Sequence, residues 1–432
     1  MPQVNTHSSP SRFVSLLPGD EERDNDTFAD ELMLASPAKW YPWHPHPQTT
    51  SDIPLPTQAS RFPPGILIDI LKRMSSPRDI HSALLVSRSW CECSVQLLWY
   101  RPSVPDINTL VKIIQVLSHE EPTFAYAQFI RRLNFTSVGA DMSDSIFSQL
   151  ARCTRLERLT LVRCSKLSDD VIARTVPYFP NLCAIDLSGI EGISGRTVFV
   201  LANSCRKLQG VNLLDCRWIT SSSLCALADG CPFLRRVKLS GLVDLTDEPV
   251  SALAMKSPLL VEIDLNGCRN ISDRAVRDIW FHSYNMRELR LSHCVELTNL
   301  AFPAPQNLRN SPPVSNSLPQ SANSTRPSAS DLLPLILSRP LEHLRMLDLT
   351  GCSNITDDAI EGIITASPRL RDLGLSKCSQ LTDRAVESIC LLEKHLHHLR
   401  LSHAYFITDQ SIKRLSQCCT RLRYLDLESE CF

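Results

Sequence analysis

The side chains best placed to do chemistry are cations set at a fixed interval. Lys238 and Arg290 belong to a series that reads Asn134, Thr160, Asp186, Asn212, Lys238, Asp264, Arg290, Asp348, Gly374, Arg400, Asp426. Its members lie 26 residues apart, except for one interval of 58. Arg158 and Arg236 flank the series and Lys377 lies just beyond it. Ammonium points and guanidinium forks gathered this way suit a phosphate or a carboxylate, because charge-assisted hydrogen bonds are the strong kind. Glu262, Glu288 and Asp372 interleave with them, so the row is mixed. Ion pairs within it, worth about 0–1 kcal/mol each when exposed, are the plainer reading of any one residue. Covalent or hydrolytic chemistry finds no support. The chain has no Gly-x-Ser-x-Gly, no phosphate loop and no His-Glu-x-x-His, and its 13 glycines leave little room for a nucleotide cradle. His293, His398 and His403 read as surface polar residues. A non-catalytic protein without a cofactor is expected.

The 17 cysteines are many, but their placement is regular. Cys164, Cys216, Cys268, Cys294, Cys352 and Cys378 occupy one position of the interval. Cys153, Cys205, Cys231 and Cys419 occupy a second, which Ser257, Ser283 and Ser367 fill elsewhere. Equivalent positions that take Cys or Ser call for a small buried residue, and a free thiol behaves as one. Cys91 and Cys93, and the adjacent Cys418 and Cys419, lack partner pairs at zinc spacing, so no metal is expected. No apolar signal-peptide core opens the chain, and no run approaches the roughly 20 apolar residues of a membrane helix. The expectation is a soluble protein of a reducing compartment. Lys plus Arg number 45 against 46 Asp plus Glu. That balance gives no overall pull toward nucleic acid or an anionic membrane, though a local patch is compatible with it.

The elements that must carry these residues follow from the interval. Residues 155 to 170 hold the pattern Leu156-x-x-Leu159-x-Leu161-x-x-Cys164, then Leu167-Ser168-Asp169. Matching leucines recur at Leu187, Leu213, Leu239, Leu265, Leu291, Leu349, Leu375, Leu401 and Leu427, with Phe135 opening the set. A fixed period of this size signals a solenoid, and this pattern is that of leucine-rich repeats. Alternate side chains of a strand face opposite ways, so Leu159 and Leu161 point to the core while Arg158, Thr160 and Val162 point out. Ser168 or Asp169 suits a helix start, as do Thr246-Asp247, Thr356-Asp357, Thr382-Asp383 and Thr408-Asp409. Each buried Leu contributes about 1.5–3 kcal/mol, and only stacked neighbours can bury the face of a repeat. The predicted fold class is α/β: a curved parallel sheet inside, helices outside.

Other segments break the pattern. Residues 1–60 are rich in Pro, Ser, Thr and His and are expected to form a disordered tail. It holds a charge run at 20–26 and a Trp-Tyr-Pro-Trp-His-Pro stretch from residue 40. Residues 102–129 read as a helical linker, with 110–117 as the helix. The repeats fill 130–432, with a disordered insert at about 303–334 containing Ser311-Pro312. Leu332 to Leu337 are expected to resume a helix. The final repeat, with Leu422, Leu425 and Leu427, reads as truncated and without a visible polar cap.

Residues 61–101 change character. Pro63 and Pro64 can open a helix in which Ile66, Leu67, Ile70, Leu71 and Met74 have helical spacing. Ser76 or Asp79 can open a second, and Trp90, Leu97, Leu98 and Trp99 fall in a third. Three short helices make a small core at best, so the apolar surplus suggests docking onto a partner. Ile66-Leu67-x-x-Ile70-Leu71, Pro77-x-Asp79-Ile80, Val86-Ser87-Arg88-x-Trp90 and Leu98-Trp99 together resemble an F-box. Phe62 stands where the family's usual first Leu is, and Gly65 where an acidic residue is common. Residues 97–102, 124–134 and 287–294 are similar to fungal Grr-type F-box proteins with Cys-containing leucine-rich repeats. The resemblance implies a substrate receptor of an SCF ubiquitin ligase, acting in cytoplasm and nucleus. A Skp-type adaptor, and through it a cullin, would bind Phe62, Pro63, Ile66, Leu67, Ile70, Leu71, Val86, Trp90, Leu97 and Trp99. Phosphorylated substrates such as cyclins would bind the concave face, at Arg158, Arg236, Lys238, Arg290, Lys377 and Arg400. The alternative is a scaffold or inhibitor whose repeats hold a partner without ubiquitination.

Overall fold

A computed structural model describes residues 62–74, 76–305 and 332–428. The expected tail, most of the insert with Ser311, and the last four residues lie outside the described residues. The first three helices are α1 (Pro64–Lys72), α2 (Pro77–Ala83) and α3 (Arg88–Tyr100). Pro64 sits in the first turn of α1, where a missing N–H costs nothing. Ser87 caps α3, its hydroxyl accepting the amide of Trp90 at 3.4 Å. Leu67, Leu71, Ala83 and Cys93 make a small core, with Ile68, Met74, Trp90 and Leu97 packed around it.

α4 (Ile107–Ser118) follows, capped by Asp106, whose carboxylate accepts the amide of Thr109 at 2.8 Å. Its spacing puts Leu110, Ile114 and Leu117 on one stripe, and they close the first end of the repeat core. Trp99 packs against that same core, and its ring centroid lies 4.6 Å from that of Tyr126. The amide of Arg131 donates to the carbonyl of Tyr100 at 3.0 Å, tying the end of α3 to the first strand.

The repeats form the expected α/β solenoid. Strands β1 (Arg132–Asn134), β2 (Arg158–Thr160), β3 (Ala184–Asp186), β4 (Gly210–Asn212), β5 (Arg236–Lys238) and β6 (Glu262–Asp264) lead into β7 (Glu288–Arg290). β8 (Met346–Asp348), β9 (Asp372–Gly374), β10 (His398–Arg400) and β11 (Tyr424–Asp426) complete an 11-stranded sheet in chain order. Every pairing is parallel and in register, for example Leu159 with Ile185 and Ile263 with Leu289. The helix in each return path starts at a Ser or Thr, as in α5 (Asp144–Ser148), α6 (Asp169–Thr175), α7 (Gly195–Ser204) and α8 (Ser221–Gly230). The series continues with α9 (Asp247–Lys256), α10 (Asp273–His282), α11 (Asp357–Ala366), α12 (Asp383–Ile389) and α13 (Asp409–Cys418).

Two ladders that the sequence pattern conceals tie the repeats together. The Asp that follows the capping Ser or Thr reaches forward to the next repeat at Asp144, Asp169, Asp247, Asp273, Asp357 and Asp383. Asp273 accepts the amide of Thr298 at 2.7 Å and its hydroxyl at 2.6 Å. Asp169 does the same for Ser194 and Asp357 for Thr382. The repeated cysteines reach backward. Cys216, Cys268 and Cys294 donate to the carbonyls of Leu187, Leu239 and Leu265 at 3.3 Å, and Cys352 and Cys378 to those of Leu291 and Leu349 at 3.2 Å. Burial pushes the thiols of Cys216, Cys268 and Cys378 up to about 12.

The insert corrects one expectation. Leu332 to Leu337 is extended rather than helical: Leu335 bridges to Pro303 and its carbonyl accepts the amide of Ala304 at 2.8 Å. Pro334 explains this, because it lacks an amide hydrogen and disfavours the helical region for the residue before it. No helix among the described residues is long and apolar enough to cross a membrane.

Candidate functional site

Two surfaces hold the residues singled out above. On the helical domain, Ile66 and Ile70 lie one turn apart on the open side of α1, 49% and 43% exposed. Phe62 before the helix is 48% exposed and Val86 after α2 is 54% exposed. Pro63 is the exposed N-cap. Leu67 and Leu71 are placed differently from the expectation. Each stands about 100° round the helix from its isoleucine neighbour and is completely buried in the domain's own core. Trp90 and Leu97 pack against that core, half-buried, and Trp99 packs against the repeats. These five hold the domain together and orient it. Leu85, absent from the expected set, is the most exposed of the large apolar side chains here, at 83%.

The inner face of the sheet is organised around Glu262, a buried carboxylate in the middle of the array. Arg290 donates to it at 2.9 Å, and Lys238 and Arg236 approach it at 3.4 Å from the strand on the other side. A second arm of Arg290 donates to Glu288 at 2.8 Å. Burial alone would push the Glu262 carboxyl up, but Lys238, Arg290 and Arg236 together hold it below the ordinary range. Glu288 is pushed up, by burial and then by Glu262. Lys238 and Arg290 are therefore not free forks: the strand between them supplies the carboxylate that both use.

Arg400 is also paired. It reaches across β9 to Asp348 at 3.2 Å, passing over Gly374, where an added Cβ would lie 2.4 Å from the Asp348 carboxylate. Arg158 and Arg236 both have partners. Lys377 is exposed, at a left-handed turn with φ 61° just past β9. The acidic members of the central series act locally. Asp186, Asp264 and Asp348 accept the amides of Ser188, Asn266 and Thr350 at 2.9–3.1 Å. His398 pairs with Asp372, and His403 contacts the Tyr405 hydroxyl at 3.3 Å.

Residues 59–105 match the F-box-like domain family. The chain is thus an F-box-like domain followed by a solenoid of parallel strands and helices. The SCF E3 ubiquitin ligase complex F-box protein pof2 of Schizosaccharomyces pombe is 23% identical over 156 residues, 36% of this chain and 34% of that protein. The match thus spans about a third of that relative's length. Among solved structures, the Rad7 and Elc1 complex of yeast aligns over 81% of this chain and 91% of that chain, at 17% identity and a TM-score of 0.46. The leucine-rich repeat-containing protein LegL7 of Legionella pneumophila aligns over 77% of this chain and 90% of that chain, at 12% identity and a TM-score of 0.38.

Within the F-box-like domain, burial divides the apolar residues into those that build it and those that it offers. The offered set is Phe62, Ile66, Ile70, Leu85 and Val86. Leu85 could have been found from the run Leu84-Leu85-Val86, which is too apolar for the end of a short helix in so small a domain.

Proposed function

We propose that this protein is the substrate receptor of an SCF-type ubiquitin ligase. The F-box-like domain holds a Skp-type adaptor and through it a cullin, while the repeats hold the protein to be modified. The contribution is proximity, which makes ubiquitin transfer effectively intramolecular; the receptor itself needs no catalytic group. The observation that carries the reading is the group of large apolar side chains exposed on a domain matching the F-box-like family, Phe62, Ile66, Ile70, Leu85 and Val86. Exposed apolar surface on a small domain marks an interface. The packing of Trp99 and α4 onto the first repeat supports a fixed geometry between adaptor and substrate. Cytoplasm and nucleus are the proposed setting, where the buried thiols stay reduced.

Phosphorylated proteins, cyclins among them, are the substrate class that the Grr-type resemblance suggests. A phosphate at mid-array has to compete with Glu262 for Lys238 and Arg290, so binding there is an exchange of partners. Copurification tests the main reading: the full chain is expected to bring down adaptor and cullin, and the assembled complex to ubiquitinate a bound protein. A scaffold or inhibitor would bind its partner through the repeats without either result.

A further inference from the structure

The residue just before each of the last five strands is basic: Arg287, Arg345, Arg371, His397 and Arg423 precede β7 to β11. They are stacked in register. The amide of Arg345 donates to the carbonyl of Arg287 at 2.8 Å, that of Arg371 to Arg345 at 2.7 Å, that of His397 to Arg371 at 2.8 Å, and that of Arg423 to His397 at 2.8 Å. Strands lie about 4.8 Å apart, so the row runs about 19 Å along the lip of the inner face.

Like charges side by side in a sheet are destabilising, and elsewhere in this protein carboxylates relieve them. At the same position in the first repeats, Arg131 pairs with Glu157 at 3.3 Å. Among the described residues the later row has no such relief, and Arg345 donates there only to the backbone carbonyls of Glu342 and Leu344, at 2.6 and 3.1 Å. Arg287, Arg371 and Arg423 are exposed, and none has a carboxylate partner among the described residues. The two carboxylates one residue further along are committed elsewhere, Glu288 to Arg290 and Asp372 to His398. Burial first, and then Arg371, Arg369 and Arg287, hold the Arg345 guanidinium below its ordinary range.

We infer that this row binds an acidic polypeptide segment, with Asp and Glu carboxylates spread along its length. The inference deepens the reading of the repeats as the part that holds substrate, and rests on it. A single phosphate reaches two neighbouring guanidinium groups and leaves the rest of the row uncompensated, whereas a run of carboxylates matches four guanidinium groups spread over five strands, in which His397, its pKa held low by burial and then by Arg423 and Arg371, is the neutral member. Nucleic-acid surfaces are broader and strongly positive. This row is one residue wide, beside the carboxylates Glu288 and Asp372 and the apolar Met346, in a chain of net charge −1.

The test is fluorescence anisotropy with the full chain, alone and with a Skp-type adaptor added. The probe is a labelled peptide of alternating Glu and Ser, compared with its Gln counterpart, a peptide carrying one phosphoserine, and an oligo-dT strand. The expected result is binding of the Glu peptide that weakens with salt and falls at least about tenfold in Arg371→Gln/Arg423→Gln. Both side chains are exposed, and unchanged adaptor binding and thermal unfolding would show the variant folded. No binding of the Glu peptide, equal binding by the variant, equal binding of the Gln peptide, or tighter binding of the phosphoserine peptide or of oligo-dT would each overturn the inference. Adaptor binding that persists through any of these leaves the receptor reading standing; loss of adaptor binding by wild type sinks that reading instead.

Discussion

Glu262 shows how one residue redefines its neighbours. From the sequence, Lys238 and Arg290 are a pair of cations facing an open concavity. In the structure each is half of an ion pair whose other half is buried, and breaking such a pair is expensive because it strands a charge. Glu262→Gln is therefore expected to cost about 2–3 kcal/mol in urea unfolding at neutral pH. Arg290→Glu, which sets three carboxylates together, is expected to cost about 3–5 kcal/mol. The first effect has a pH signature. The folded-state pKa of Glu262 lies below its ordinary value of 4.5, so its contribution is fully present above that value and is lost as pH falls through the lowered one. The gap between wild type and Glu262→Gln should close in acid, and a gap that stayed constant with pH would contradict the account. The buried serines at the second cysteine position offer a contrast. The hydroxyls of Ser257, Ser283 and Ser367 have no hydrogen-bond partner among the described residues, whereas Cys205 and Cys231 at that position donate to carbonyls at 3.7 and 3.6 Å. Ser283→Cys should leave stability unchanged or raise it by about 1 kcal/mol in the same measurement, because a thiol loses less on burial.

At the scale of elements, the periodic parts are legible in the sequence and the joints are not. The interval of 26 residues, with the leucine pattern resuming after the one interval of 58, locates the strands of the described residues, because a solenoid repeats one packing problem and solves it with one pattern. Ser168-Asp169 reads as a helix cap, and Ser168 does accept the amide of Val171 at 3.3 Å. That Asp169 serves the following repeat instead is invisible in a single copy of the motif. Asp273→Ala should cost about 2–3 kcal/mol, since it leaves the Thr298 amide and hydroxyl without their acceptor inside the stack. The insert misleads for the opposite reason: Leu332 to Leu337 has apolar content but no periodic neighbour to set its conformation, and Pro334 decides against a helix. Its stem presses on α11, where an added Cβ on Gly362 would lie 1.6 Å from the Pro303 carbonyl oxygen. Ala favours a helix by about 1 kcal/mol over Gly, yet Gly362→Ala should destabilise by about 1–3 kcal/mol, because the clash is with backbone and not with a movable side chain. Thermal unfolding of that variant at a higher temperature than wild type would show the stem to be loosely held.

At the scale of the molecule, the structure offers apolar contacts at the F-box-like domain and charged contacts on the inner face of the repeats. Helical spacing identifies the first set only in part. It groups Ile66 with Ile70 and Leu67 with Leu71, but which pair faces the core depends on where α3 packs. The outer pair, with Phe62, Leu85 and Val86, is what a partner can reach. The most direct test of the receptor reading is calorimetric titration of a Skp-type adaptor into the full chain, with wild type and Ile66→Glu/Val86→Glu side by side. Wild type is predicted to bind one adaptor per chain, and the double variant to bind at least about 100-fold more weakly, with unchanged thermal unfolding, because both side chains are outside the core. Failure of wild type to bind, or equal binding by the folded variant, would contradict the account.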